Sequence, residues 1–349
     1  MNKKFIVNLM LGALMLTGLL QATGGVKDLT GAGATFPYPL YARWFDIYHN
    51  ETGIQVNYQA IGSGGGIRQL LNKTVDFGGT DAFMNDRELA KSPENPILHF
   101  PTCLGAVVIT YNIPGNPELK LTPKVISGIF LGKITRWNDP KLVQLNPEVK
   151  LPSQKIVVVH RSDGSGTTFV FSDYLSKVSK EWARRVGKGK SLRWPVGLGG
   201  KGNPGVAGLI KQIRGSIGYV ELAFAEKNNL PYASIKNKHG KFIKPTLKSI
   251  SLAAKVNIPP DTRVSITDTE APEGYPIASF TWIIFYREQN YGKRSYERAK
   301  ELINLFWWMI HQGQQYNENL LYGKLPAPVI KTAEKIIKSV TYNGKPILR

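Results

Sequence analysis

The sequence predicts an α/β fold, and three observations carry that expectation. Apolar runs of strand length alternate with segments of helical period along the chain, which is the order that builds sheets covered by helices. At 349 residues and 42% hydrophobic content, the chain is long enough for two domains with a sizeable core. Several strand-like runs end in glycine-rich turns that lead directly into helical patterns, as in "HRSDGSGTTFVF" over residues 160–171.

Residues 1–25 read as a signal peptide. Lys3 and Lys4 form a charged start, Phe5 to Leu20 an apolar stretch, and Ala22, Thr23, Gly24 and Gly25 a small-residue cleavage region. The apolar stretch is interrupted by Asn8 and is short for a membrane span, so a retained anchor is the lesser alternative. It holds no cysteine, which argues against a lipidated N-terminus. The chain is therefore expected to be exported.

Five runs after the leader read as strands: "QVNYQAI" (55–61), "AVVITYN" (106–112), "KIVVVH" (155–160), "SIGYVEL" (216–222) and "SFTWIIFY" (279–286). Residues 38–53 read as a helix stopped by Gly53, and "GIRQLLNKT" and "TTFVFSDYLSKV" as helices opening after glycines. The longest helical pattern, "SYERAKELINLFWWMIHQGQQY", carries an aromatic stripe that reads as core. Residues 100–112 and 276–286 are apolar enough to cross between two domains. The division expected is then a discontinuous lobe I (26–104 and 276–349) around lobe II (105–275).

The formal charge of +20, or +18 without Lys3 and Lys4, favours anionic partners. Export argues against nucleic acid, and the basic residues are not interleaved with aromatic stacking platforms. Cys103 is the only cysteine, so no internal disulfide can form, and its apolar setting makes it a small buried hydrophobe.

The chemistry concentrates in three turns: "TGAGATFPYP" (30–39), "AIGSGGGIRQL" (60–70) and "RSDGSGTTF" (161–169). Each places unpaired amide hydrogens at a helix N-terminus, where an anion is favoured. Each adds hydroxyls: Thr35, Ser63, Ser165 and Thr167. A single such turn is commonly only a helix cap; three in one chain, one of them following Arg161, point to an anion site. Enzymatic motifs fail on spacing. "GLGGKGNPG" has Pro195 where a P-loop needs its first glycine, and neither Ser63 nor Ser165 sits in G-x-S-x-G. The five histidines are scattered and form no metal-ligand pattern. Asp81 and Asp163 read either as turn residues or as functional groups, with Asp163 orienting Arg161 and Asp81 accepting a hydrogen bond from a protonated ligand.

The stretches "TGAGATFPYPLYARW", "VNYQAIGSGGGIRQL", "VDFGGTDA", "LGKITRWND", "RSDGSGTTFVF", "WPVGLGGKGNPGVAG" and "SIGYVE" occur in this order. Together they resemble the family of periplasmic phosphate-binding proteins that serve high-affinity phosphate ABC importers, from about Leu29 almost to the C-terminus. The resemblance implies a type II periplasmic binding protein fold, two α/β lobes with a ligand cleft and a two-crossing hinge. It implies a periplasmic protein that is not an enzyme and needs no cofactor. Its partners would be inorganic phosphate and the importer's permease, with the ATPase engaged indirectly, and no nucleic acid.

Carried over residue by residue, the resemblance makes Thr35, Phe36, Ser63, Asp81, Arg161, Ser165, Gly166 and Thr167 the phosphate ligands. Asp163 is then the partner of Arg161. Amide donors would come from Phe36, Ser63, Ser165, Gly166 and Thr167, and Asp81 would accept the phosphate proton. "GGTDAF" departs from the family's usual small-residue and proline setting at Asp81, and "WPVGLGGKGNPG" reads as a helix-entry turn without a ligand contact. The alternatives are a binding protein for another tetrahedral oxyanion (sulfate, molybdate or a phosphonate), a secreted phosphomonoesterase using Ser63 or Ser165, and an adhesive surface protein.

Overall fold

The computed structural model describes residues 26–348, so the leader expected over residues 1–25 lies outside the described residues. The chain folds around an eight-stranded mixed sheet. Its first strands are β1 (Asp28–Gly33), β2 (Gln55–Ala60), β3 (Phe77–Thr80) and β4 (Ile97–Tyr111). The spatial order is β2, β1, β3, Ala278–Tyr286, β4, Ser216–Glu221, Val157–Arg161, Leu198–Gly200.

β4 ties the two lobes together. Its residues Ile97 to Ala106 pair antiparallel with Ala278–Tyr286, and Val107 to Tyr111 pair antiparallel with Ser216–Glu221. Fourteen of its fifteen residues are buried, as a near-continuous apolar run buried on both faces should be. The sequence pattern placed its start nine residues too late, because His99, Pro101 and Thr102 interrupt the apolar run. The interior proline is accommodated where the pairing register shifts between Thr281 and Trp282, a bulge that relieves the missing amide hydrogen.

Within the first lobe, β1 runs parallel to both β2 and β3. In the second lobe, Val157–Arg161 runs parallel to Ser216–Glu221 and to Leu198–Gly200. In each lobe, several strand C-termini are followed by turns into helices, and ligand crevices form at such edges. The helix α1 (Tyr38–Thr52) ends at Gly53, whose φ of 76° suits the left-handed cap that glycine adopts without strain. The helix α2 (Ser63–Leu71) starts at Ser63, so the glycine run lies inside its first turn and not before it. The reason is packing: a Cβ on Gly66 would stand 2.4 Å from the Ala32 carbonyl oxygen, so only glycine lets α2 lie directly on β1.

The aromatic stripe of helix Tyr296–Ile310 is core for Phe306, Trp308, Met309 and Ile310, whereas Trp307 is half-buried. Cys103 is free and fully buried. A segment at residues 262–263 lies against the first lobe: the Thr262 hydroxyl donates to the His99 carbonyl, and Arg263 Nη1 donates to the Met84 carbonyl. Among the described residues, no helix is long and apolar enough to cross a membrane.

Candidate functional site

Thr35 and Phe36 occupy the turn between β1 and α1, Ser63 opens α2, and Asp81 follows β3 directly. From the other lobe, Arg161 ends the strand Val157–Arg161, and Ser165 caps the helix Gly166–Val178. The turns meet. A Cβ on Gly166 would stand 2.4 Å from Ser63 Oγ and 2.5 Å from Asp81 Oδ2, so the helix N-terminus of one lobe touches the site residues of the other. The Gly64 amide donates to the Gly164 carbonyl at 2.9 Å across the same junction. At its rim, Lys190 Nζ pairs with Glu88 at 2.8 Å. Every residue expected in the site from Thr35 to Thr167 is buried, Asp163 excepted, which is partly buried.

All four hydroxyls accept from N–H groups, the threonines twice and the serines once. Thr35 Oγ1 accepts from the Asn203 amide at 3.1 Å and from Asn203 Nδ2 at 2.9 Å. Thr167 Oγ1 accepts from Arg161 Nη1 at 3.2 Å and from Asn203 Nδ2 at 3.1 Å. Ser63 Oγ accepts from the Asp81 amide at 3.3 Å, and Ser165 Oγ from the Thr168 amide at 3.0 Å. A hydroxyl has one hydrogen to give and two lone pairs to accept with. Both lone pairs of Thr35 and Thr167 are engaged by N–H groups, and one each of Ser63 and Ser165; all four hydroxyls keep their hydrogen to give, and the two threonines are held to donating.

The amides of Phe36, Ser63, Gly166 and Thr167 donate to no partner among the described residues, as expected for first-turn or turn amides. The Ser165 amide is different and corrects the sequence reading: it donates to the Lys190 carbonyl at 2.8 Å. Ser165 therefore brings its hydroxyl alone.

Arg161 is fixed on three sides. Its Nε and Nη2 donate to the two carboxylate oxygens of Asp163 at 2.8 and 2.6 Å, and Nη1 donates to Thr167. Burial pushes the Asp163 carboxyl up, but the Arg161 bonds and charge, with the Gly202 amide, outweigh it and hold Asp163 below its ordinary value. The arginine charge is thus largely balanced in place, and its fork is oriented by protein groups of its own lobe.

Asp81 stands opposite. Burial pushes its carboxyl up to about 7, with a bond from the Thr281 hydroxyl and the Arg161 charge opposing. A carboxyl whose folded value lies above its unfolded one binds extra protons in the folded state. Its contribution to stability is complete below about pH 4 and is lost as pH rises through about 7. In phosphate-free buffer, Asp81→Asn is expected to raise the melting temperature above that of the parent at about pH 8 and to lose that advantage towards about pH 4. The scale is on the order of 4 kcal/mol, from about 1.4 kcal/mol per pKa unit. Thermal melts across that range check the sign.

Asn203 was not singled out by sequence reasoning. It is fully buried at the start of helix Gly202–Gln212, bonds Thr35 of one lobe and Thr167 of the other, and has its Oδ1 held by the Glu221 amide at 2.9 Å. The turn "WPVGLGGKGNPG" is a helix entry as read, yet it reaches the site. The signal was available: strand Leu198–Gly200 into a glycine turn into a helix repeats the pattern of the other three turns. Tyr219, whose hydroxyl accepts from the Arg161 amide and meets Thr168, also lay outside the sequence reading, as did Thr281. Asn203→Ala removes one of the two N–H bonds that hold each threonine hydroxyl, and phosphate titration is expected to show a Kd weaker by about tenfold or more, at about 1 kcal/mol per lost bond. Among the described residues, no cluster has the makings of a metal site.

Residues 21–307 match the family model described as a PBP superfamily domain. The chain is 43% identical over 311 residues to the phosphate-binding protein PstS of Haemophilus influenzae, covering 88% of this chain and 91% of that one. It is 39% identical to the PstS of Methanocaldococcus jannaschii, covering 85% and 81%. Among solved structures, a high-affinity periplasmic phosphate-binding protein (PfluDING) bound with phosphate superposes with a TM-score of 0.71 at 20% identity, over 88% of this chain and 93% of that one. At that identity the likeness shows the fold, a type II periplasmic binding protein architecture.

Proposed function

The chain belongs to the family of phosphate-binding proteins named PstS, and from that premise we propose that it captures inorganic phosphate in the periplasm and delivers it to the membrane permease of an ABC phosphate importer. It is a binding protein and not an enzyme, like the relatives it matches by name. One observation supports the choice of ligand: four hydroxyls that accept from N–H groups and keep their own hydrogens, four amides without a partner among the described residues and the Arg161 fork lie in the turns around one buried carboxyl, Asp81, which stands against Ser63 and Gly166. Many donors with one acceptor match an oxyanion that still bears a proton.

The proposed ligand set is Thr35, Phe36, Ser63, Asp81, Arg161, Ser165, Gly166 and Thr167, with Asp163 and Asn203 orienting them. Lobe I would comprise 26–104 and 276–349, and lobe II 105–275, with crossings at β4 and at the entry to Ala278–Tyr286. The +18 surface of the chain without Lys3 and Lys4 supports steering of an anion into the cleft.

Hydrogen bonds to a charged group contribute roughly 1.5–3 kcal/mol net each. Micromolar affinity needs only about 8 kcal/mol, so much of the gross sum offsets stripping water from the anion and ordering the closed lobes. A thermal-shift panel of phosphate, sulfate, molybdate and a phosphonate tests the reading. Phosphate alone is expected to raise the melting temperature strongly, by about 2.7 kcal/mol of stabilisation at a hundredfold excess over Kd. An equal response to sulfate would favour another oxyanion, and turnover of a chromogenic phosphate ester would favour the esterase.

Gly166 offers a steric test. A methyl there collides with Ser63 Oγ and Asp81 Oδ2, while alanine in place of glycine favours a helix by about 1 kcal/mol. Gly166→Ala is expected to fold normally and to bind phosphate at least about a hundredfold more weakly, two contacts at roughly 1.5 kcal/mol each being lost. Unchanged affinity would show that the lobes need not meet at Gly166.

A further inference from the structure

Glu221 ends the strand Ser216–Glu221, pairs with Val107 on β4 and is fully buried. Its Oε2 accepts from the Ala223 amide at 2.9 Å and lies 3.0 Å from the Tyr322 hydroxyl. Its Oε1 has no hydrogen-bond partner. The same Tyr322 hydroxyl lies 2.6 Å from the Phe36 carbonyl oxygen.

Counting hydrogens decides the protonation state. Tyr322 has one hydroxyl hydrogen, and a carbonyl can only accept. The shorter contact, to Phe36, therefore takes the tyrosine hydrogen. The contact between Tyr322 and Glu221 is then a hydrogen bond only if the carboxyl supplies the second hydrogen. An ionised Glu221 would leave negative charge on a buried, unpartnered Oε1, whereas in the neutral acid that oxygen is a carbonyl and costs far less to bury. The titratable groups around it give it no reason to ionise: Asp81 after β3 and the Cys103 thiol on β4 both interact with it, and Tyr322 is buried. Burial pushes the Glu221 carboxyl well above its ordinary value, and Asp81 adds to the push, against the Ala223 and Phe224 amides and the contact with Tyr322.

We propose that Glu221 is a protonated carboxylic acid that positions the Thr35–Phe36 turn, through a relay from its own O–H to Tyr322 to the Phe36 carbonyl. It is a positioning residue for the phosphate site and rests on the phosphate reading above. Its backbone supplies a second hold, because the Glu221 amide fixes Asn203, which in turn bonds Thr35 and Thr167. Glu221 belongs to the strand beside β4, whereas Tyr322 and Phe36 lie against the first lobe, so the relay crosses the hinge region where the lobes join.

The test is the infrared spectrum of the full chain at about pH 8 without phosphate, compared with Glu221→Gln and with Asp81→Asn, followed by phosphate titration of Glu221→Gln and Glu221→Ala. The carbonyl stretch of a protonated carboxylic acid is expected in the parent, retained in Asp81→Asn and lost in Glu221→Gln. Glu221→Ala is expected to weaken phosphate binding about tenfold or more, and Glu221→Gln, a neutral isostere able to donate to Tyr322, to restore most of that loss. A parent spectrum in which Glu221→Gln removes no such band overturns the proposal, as does a Glu221→Ala affinity equal to the parent's. If Glu221→Ala fails to fold, the band and the glutamine variant still decide. If the parent binds no phosphate while the band is present and lost in Glu221→Gln, the phosphate reading fails and the protonated acid stands.

Discussion

Asp81→Asn is expected to admit sulfate with an affinity approaching that for phosphate, where the parent rejects it by roughly 10⁴ or more. The Asp81 side chain is the one acceptor placed among donors, and it is buried beside Ser63 and Gly166. Phosphate near neutral pH still carries a hydrogen to give it; sulfate presents only oxygen against a carboxylate. Asparagine keeps the shape and the acceptor for the Thr281 hydroxyl, and it adds an N–H that sulfate can use. The raised value of about 7 gives a second result in the parent itself. As pH falls from about 8 to about 5, Asp81 takes up a proton, becomes a donor, and sulfate binding should strengthen; in Asp81→Asn that dependence should disappear. Calorimetric titration with sulfate at the two pH values measures both effects. Continued exclusion of sulfate by the variant would remove Asp81 as the filter.

Arg161→Ala is expected to weaken phosphate binding by at least about a hundredfold, the loss of one or two charge-assisted bonds at roughly 1.5–3 kcal/mol each. It should also lower stability by about 3 kcal/mol, because Asp163 is left largely buried with the Gly202 amide as its main remaining bond and no opposing charge. The two effects separate in Arg161→Lys. A lysine restores the charge but cannot bond both Asp163 oxygens and Thr167 from one fixed fork. Stability should recover more than affinity. Denaturant melts and phosphate titration on the same samples read the two quantities, and an alanine variant with parental affinity would take Arg161 out of the site.

The parts of the site that were legible in the sequence are those built from local pattern. A strand followed by glycines, small hydroxyl residues and a helix is a self-contained instruction, so Thr35, Ser63, Ser165 and Thr167 were visible, and so was Arg161 at its strand end. The convergence of the turns was supplied by resemblance, because nothing local specifies which turns meet. What stayed hidden depends on distant segments. The Ser165 amide is claimed by the Lys190 carbonyl from a later loop. Glu221 falls inside the strand read over 216–222 with nothing to single it out, until the Ala223 amide, β4 and Tyr322 enclose it. The same holds for the fold: the strand at 106–112 was visible as a β-branched run, but its extension back to Ile97 through Pro101 depends on a bulge at Thr102 and on the distant partner Ala278–Tyr286.

Titration of the phosphate-free full chain with phosphate and then with sulfate, by calorimetry at about pH 8, tests most directly whether these turns enclose one protonated oxyanion. The expected result is a single phosphate per chain at micromolar affinity or tighter, about −8 kcal/mol or more, with no heat from sulfate. Binding of sulfate as tightly as phosphate, or no phosphate binding at all, would contradict it.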